Sequence, residues 1–594
     1  MSPVATWVSY PAAGERILSF IGIEVHWAIL QYVIGLPFMA FIALLLYLRS
    51  RDEDWKRLAH TLAKGFIIVF AVGAATGTAS EFGLVLLWPN LTEAAGRYIY
   101  FPLYMEIFAF LMEVVFIYIL WYGWKRLPPK ALAFVAFLGF LGAWYSATMI
   151  ISVNSYMVAP TGIMPAYKPD GTYLYDQGYP KMTVYMPKDI AALLDVPKLQ
   201  AAGVEVLGDA GDSVVVAIPV RIVQQLVREA WTGVALKDSI LVKGGFVNAD
   251  AAAQLTMEQV RALAEKLGLP EAMLAGVENP VDALLAVPMK NILDYILMTT
   301  IDNVGFMSVT FKSPVFTASI VHTIGSALTV ASFTAMAGYA MRLLRMPENG
   351  DPSYRRYVEK AFKFTSVFAA ITIAFQGIVS GHEMGVAVAH WNPEKLAAME
   401  GTSEHVFSFS RALHLEKIMA FVAYGSTSAQ LPSYDRIPSN YCKCELAGTP
   451  PVEDCRPPIM LHYVYYSKIG LAILIGLYGA LMGLVALRDR WGFADSLLNA
   501  LGLHDRYPRT LLRLALAAAV LSQVVSTLGW VVREVGRKPW TIYGVMTVDV
   551  ARSFNPPTTG QLALVSLYFI VLLAALAYAV YRFLWLPGRP SETM

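Results

Sequence analysis

Five ionisable residues stand in apolar surroundings where a charged group costs several kcal/mol: His26, Glu81, Glu106, Glu113 and His322. Such residues face a bundle interior and mark an ion, proton or cofactor path. An imidazole among apolar helices is the usual axial ligand of a b-type heme, and His26 and His322 are both candidates. For each, the plainer reading is a hydrogen-bonded core histidine. His322 is followed by Thr323, Gly325 and Ser326, small residues that let a planar macrocycle approach the helix. Glu106 and Glu113 lie seven residues apart, about two helical turns, so both project from one face. In PLYMEIFAFLMEV they read as a proton relay ending near a redox centre, weighed against a pair of protonated, hydrogen-bonded structural acids.

The elements that hold these residues must be membrane helices. The chain is 56% hydrophobic and only 15% charged, which is not the balance of an ordinary soluble protein. Nine stretches carry the roughly 20 apolar residues that a bilayer core requires, near 21–48, 62–88, 100–122, 131–157, 313–341, 362–381, 460–486, 510–532 and 561–584. Helices satisfy their own backbone polar groups in lipid, and no short alternating segments suggest a β-barrel.

The positive-inside rule orients the chain. The first, third, fifth and seventh loops are basic (Arg49, Arg51, Lys56, Arg57; Lys125, Arg126, Lys130; Arg342, Arg345, Arg355, Arg356, Lys360; Arg488, Arg490, Arg506, Arg509), which sets the N-terminus outside and the C-terminus in the cytoplasm. Arg533, Arg537, Lys538 and Arg552 fall outside against this bias, and an anionic partner such as heme propionates accounts for them. The first 20 residues lack the basic start and cleavage site of a signal peptide and are expected to lie along the outer surface. A formal net charge of +2 gives no support for a nucleic-acid partner.

Two long external loops interrupt the spans. The first holds MTVYMPKDIAALLDV, DSVVVAIPVRIVQQLV and TMEQVRALAEKLG, alternating and helical patterns sufficient for a small α/β insertion that serves as a cover or docking surface. The second ends in Pro-rich coil with Cys442, Cys444 and Cys455. On the oxidising side these predict a disulfide between Cys455 and one of the other two; a structural zinc site would lack its fourth ligand. The expected fold is an all-α polytopic membrane protein of nine transmembrane helices in heme-binding bundles with a small extracytoplasmic α/β insertion. Its parts are an outer-surface segment 1–20, spans one to four in 21–159, the insertion 160–312, spans five and six in 313–384, a loop 385–459, and spans seven to nine with a cytoplasmic tail in 460–594.

Six stretches, in order, resemble subunit I of the cytochrome bd-type ubiquinol oxidases: EVHWAILQYVIGLPF, GAATGTASEFG, PLYMEIFAFLMEVVF with GWKRL, SIVHTIGSALT, SGHEMG with NPEKLAAMEG, and GWVVREVGRKPW. The resemblance covers nearly the whole chain outside the first loop insertion. It implies a multi-pass protein of the cell membrane that takes electrons from membrane quinol at the outer face and reduces dioxygen to water at a buried heme. It implies heme b, heme d or a b heme in its place, and a second membrane subunit, either subunit II-like or a subunit I paralogue. By position, His26 and Glu106 match the heme d site, Glu113 the next acid of the proton path, and His322 the low-spin heme's histidine. Lys395 and Glu400 match the quinol-site residues, where a base and an acid could hold a quinol oxygen and accept its proton. His382 and Glu383 in SGHEMG, Lys468, and Trp530 and Arg537 in GWVVREVGRKPW complete the cofactor-binding candidates.

The departures carry equal weight. The low-spin heme's methionine falls on Gly470 in Lys468-Ile469-Gly470, leaving that heme five-coordinate, ligated by another residue such as His462, or absent. The high-spin heme's glutamate falls on Thr527, a poor iron ligand. The acids of the third span are one residue closer together than in the best-known members. The alternative to an active oxidase is thus a divergent electron-transfer or scaffold paralogue without the full heme set. A heme-free quinone-binding or transport protein is less well supported, since the broken, repeated helices of a transporter are missing.

Overall fold

The computed structural model describes residues 13–347, 350–444, 454–552 and 557–585. Among them, nine helices are long and apolar enough to cross a membrane. The first four are α1 (Ala13–Ser50), α2 (Glu53–Leu87), α3 (Pro89–Gly123) and α4 (Pro129–Val158). Their boundaries follow from local chemistry. Asp52 caps α2 by accepting a hydrogen bond from the Asp54 amide at 3.1 Å, and Pro89 and Pro129 open their helices where a missing N–H costs nothing. Ala13 already lies in α1, so the helix starts eight residues before the expected 21; residues 1–12 of the N-terminal segment lie outside the described residues, as do 586–594 of the C-terminal tail.

The insertion follows. Strands β1 (Ile163–Met164), β2 (Lys181–Pro187), β3 (Glu205–Ala210) and β4 (Ser213–Pro219) form an antiparallel sheet in the order β1-β2-β4-β3. Helix α5 (Val220–Trp231) buries Ile222, Val223, Leu226 and Val227, an i, i+1, i+4, i+5 stripe that seats it on the domain core. Helix α6 (Met289–Val304) packs against β2 and α5 and leads back toward the membrane.

The remaining spans are α7 (Phe316–Arg345), α8 (Pro352–Ala374), α10 (Leu461–Leu487), α11 (Arg509–Val535) and α12 (Thr559–Ala579). Helix α8 runs on through a π-turn, Phe375–Ser380, to Trp391, well beyond the expected 362–381. The short helix α9 (Pro393–Glu400) lies between α8 and α10 with every one of its residues buried. After α11 the chain forms a two-stranded hairpin, β5 (Trp540–Ile542) and β6 (Met546–Thr547).

Two large cores result. One joins residues of all nine spans within the bundle. The other unites the insertion, α9, the cysteine-bearing coil and the β5–β6 hairpin at one end. At the opposite end, short loops are tied by ion pairs: Asp54 with Arg356 at 3.2 Å and Lys360 at 2.9 Å, and Asp489 with Arg506 at 2.8 Å and with Lys363. Cys442 and Cys455 form a disulfide, and Cys444 is buried outside it.

Candidate functional site

Helix α1 presents His26 to α2. Its Nδ1 lies 2.9 Å from Thr76 Oγ1, and the Thr76 hydroxyl donates back to the Gly73 carbonyl at 3.0 Å. With that proton committed, Thr76 must accept from Nδ1–H, which fixes the tautomer and leaves the Nε2 lone pair available. Nε2 makes no hydrogen bond among the described residues. Gly77 lies against the ring: a Cβ there would come within 3.0 Å of His26 Cε1. On the other side of the helix, Trp27 meets Trp530 edge-on with ring centres 5.5 Å apart and donates to Ser526 Oγ at 2.9 Å.

The acids of α2 and α3 converge. Glu106 accepts from Ser146 Oγ of α4 at 3.0 Å and is close enough to act electrostatically on both Glu81 and Glu113. Glu113 is buried against Gly142, where a Cβ would meet its Cγ at 3.0 Å. Three carboxyls on two adjacent helices are thus coupled through Glu106.

His322 sits in α7 opposite the π-turn of α8. The extra residue of that turn shifts the helix register and aims two groups at the ring. The Ser380 carbonyl lies 3.3 Å from Nδ1, and the Gln376 amide nitrogen lies 3.2 Å from Nδ1 and 3.4 Å from Nε2. A Cβ at Gly325 would fall 2.3 Å from Gln376 Oε1, so a side chain there would displace that amide from the ring. Lys468 and Arg533 both act electrostatically on His322. Gly470 has nothing within 4 Å of where a Cβ would stand. His462 is excluded as a substitute ligand by its own bonding: Nδ1 is 2.9 Å from the Met399 carbonyl and Nε2 accepts from the Phe409 amide at 3.0 Å. Both ring nitrogens are consumed by backbone.

Helix α9 carries Lys395 and Glu400, five residues and hence roughly 140° apart around the axis. They leave the helix toward different neighbours. Lys395 runs against Gly536, where a Cβ would stand 2.6 Å from its Cε. Burial pulls its ammonium down to about 7, reinforced by Arg533, Arg537 and Lys468 and opposed by Glu534. Glu400 accepts from Tyr466 of α10 at 2.8 Å, and burial pushes it up to about 7 against that hydrogen bond. Behind its backbone, whose carbonyl accepts from Ser408 and Ser410 at 3.1 and 3.0 Å, a cleft of about 430 Å³ is lined by Thr402, Ser408, Ser410, Arg411, Lys417 and Gln430.

Arg537 pairs with Glu534 at 2.6 Å, yet its Nε and Nη1 are buried with no hydrogen-bond partner among the described residues. Buried guanidinium protons without acceptors fit an anionic group such as a propionate. Among the described residues no group of three His, Cys, Asp or Glu side chains is placed to hold a bare metal ion. A heme would need one free protein nitrogen: His26 offers its open Nε2, whereas His322 would have to release the Gln376 amide that lies 3.4 Å from its Nε2.

Of the remaining candidates, His382 and Glu383 are exposed, one turn or less beyond the Ser380 carbonyl that meets His322. Sequence reasoning missed several residues that the fold brings in. Glu24, two residues before His26, hydrogen-bonds Thr527, and its Oε2 is buried without a partner; an acid inside the first span was the available signal. Thr76, Gln376 and Glu394 gave none.

The model of the family described as cytochrome bd terminal oxidase subunit I matches residues 15–200 and 295–586, omitting most of the insertion. The chain is 21% identical over 565 residues to the putative cytochrome bd menaquinol oxidase subunit I of Bacillus subtilis (strain 168), covering 92% of this chain and 89% of that protein. It is 36% identical over 138 residues to the cytochrome bd ubiquinol oxidase subunit 1 of the same organism, 23% of this chain and 30% of that one. In fold it is similar to the bd oxidase from Geobacillus thermodenitrificans, with a TM-score of 0.60, 20% identity, and coverage of 96% of this chain and 98% of that chain.

Proposed function

Because the chain belongs to the cytochrome bd terminal oxidase subunit I family, we propose that it is the heme-carrying subunit of a respiratory oxidase that takes electrons from membrane quinol and reduces dioxygen to water. The carrying observation is His26, whose Nδ1 is bonded to Thr76 and whose Nε2 is left free beside a glycine. Heme, when bound, supplies the electron relay and the oxygen chemistry. The chain's own residues do the rest. His26, through the Nε2 that its bond to Thr76 leaves open, and His322, once released from the Gln376 amide, would each hold a heme. Glu106 passes protons between Glu113 and the His26 pocket, Ser146 fixing its orientation. Arg537, whose Nε and Nη1 have no partner among the described residues, would pair with propionates, and Trp530 packs against Trp27.

Quinol is handled at α9. A Lys395 amine and a Glu400 carboxyl that both titrate near 7 can exchange protons with a hydroquinone at neutral pH. The insertion, α9 and the hairpin then lie on the outer side and the ion-paired short loops in the cytoplasm. A second membrane subunit completes the complex.

A second reading, an electron-transfer or scaffold paralogue, is favoured by Gly470, Thr527 and the fully bonded His462, which together remove the expected extra iron ligands. A reduced-minus-oxidised spectrum with hemochrome quantification separates the two. A ligand-binding heme with quinol-dependent oxygen uptake supports the oxidase, and b heme without uptake supports the paralogue. The His26→Ala variant is expected to lose the oxygen-binding heme signal, and an unchanged signal removes the carrying observation.

A further inference from the structure

Where the insertion meets α9 there is a polar core that neither the acids nor the histidines use. Glu394 is only 1% exposed, and both of its oxygens are engaged: Tyr175 OH donates at 2.7 Å and Tyr543 OH at 2.8 Å. Tyr175 belongs to the insertion and Tyr543 to the hairpin after α11, so one carboxyl joins three segments distant in sequence. Tyr441 packs its ring on Tyr175 at 5.6 Å between centres and accepts from Trp540 Nε1 at 3.2 Å. Burial raises the Glu394 carboxyl above its ordinary range, with the two phenols opposing. A group so fully bonded is not open to substrate, but its neighbour in the chain is Lys395.

A second line of contacts runs to the cleft beside Glu400. Tyr167 OH donates to the Gln430 carbonyl at 2.5 Å, and Gln430 is a wall of that cleft. Tyr173 accepts from the Ser433 amide at 2.7 Å, and the Arg436 guanidinium lies 4.1 Å over its ring. Three tyrosines within nine residues of the insertion thus grip both the helix that bears Lys395 and Glu400 and the segment that closes the cleft.

We propose that the insertion is a brace for the quinol site, in which Tyr167, Tyr173 and Tyr175 hold α9 and the 430–436 segment in their working positions, with Glu394 as the positioning residue for Lys395. This rests on the reading that Lys395 and Glu400 handle quinol. A site held in place before the substrate arrives spares the cost of ordering a loop on binding, so the brace acts on quinol affinity more than on the chemical step. Removing one phenol hydroxyl leaves a Glu394 oxygen buried without a partner, which corresponds to about a tenfold change in an equilibrium.

The test measures quinol KM, kcat, heme spectrum and amide exchange over 393–400 for Tyr175→Phe, Tyr543→Phe, Glu394→Gln and Glu394→Ala in the intact complex. The expected result is a KM raised about tenfold in each Phe variant with kcat and spectrum unchanged, and a smaller rise in Glu394→Gln than in Glu394→Ala. An unchanged KM overturns the brace, as does a parallel fall of kcat with loss of heme. If the wild-type complex oxidises no quinol, the functional reading fails by itself. Faster exchange over 393–400 in Tyr175→Phe then still supports the brace, and unaltered exchange overturns it.

Discussion

At the residue scale, the informative side chains are those whose bonding leaves one valence open or none. His26 is a partly buried and His462 a fully buried imidazole; the first spends one ring nitrogen on Thr76 and the second spends both on backbone. His462→Ala is therefore expected to cost about 1–3 kcal/mol in thermal or denaturant unfolding, by leaving the Met399 carbonyl and the Phe409 amide unpaired, with no change in the heme spectrum. Lys395 and Glu400 carry the pH dependence. Glu400 in the folded protein holds its proton to about 7, so its contribution to stability is full below its ordinary value and is lost as pH rises through 7. Lys395, pulled down to about 7, contributes fully above its ordinary value and loses that contribution as pH falls toward 7. A quinol site that needs Glu400 ionised and Lys395 charged gives a narrow bell in kcat/KM centred near 7. Glu400→Gln is expected to abolish its acid limb and Lys395→Met its alkaline limb, as read from pH-rate profiles. The histidines and acids were legible in sequence because they violate the hydropathy around them. Thr76, Gln376 and Glu394 were not, because each is ordinary in its own segment and acquires its partner 50 or more residues away.

At the element scale, helix spacing is set by residues without side chains. Gly77 lets α2 approach the His26 ring, and Gly35 of α1 sits where a Cβ would be 2.4 Å from Ala331 of α7. Gly77→Val must push the imidazole aside. It is expected to remove the same heme signal as His26→Ala while His26 is still present, which the reduced-minus-oxidised spectrum reads directly. The nine spans were recoverable from length and hydropathy alone, since lipid demands a continuous apolar helix. Their ends were not. Helix α8 begins ten residues earlier than the apolar run and extends ten beyond it, because ion-paired Arg356 and Lys360 continue the helix into water and the π-turn carries it to Trp391. No hydropathy pattern announces a π-turn, yet that turn delivers Gln376 and the Ser380 carbonyl to His322.

At the scale of the whole molecule, the bundle and its cap answer to different rules. The bundle follows the family pattern, whereas residues 201–294 lie outside the family match and form most of the insertion. Across the insertion as a whole the alternating segments predicted strands and helices, and β2, β4 and α5 coincide with them. Which surface they would cover was illegible, because a strand pattern records which face is buried and not what buries it. The answer is a set of tyrosines reaching across to α9 and the 430–436 segment.

The bridge between Cys442 and Cys455 lies beneath that cap. Both sulfurs are fully buried, and Gln224 of α5 donates to the Cys442 carbonyl at 3.3 Å. A thiol pair in such a position is shielded from solution oxidants once the cap is closed. The same burial shelters the formed bond from reductants in solution, so it is expected to resist a thiol reductant applied to the folded protein and to yield to it after unfolding, as read by thiol labelling of Cys442 and Cys455.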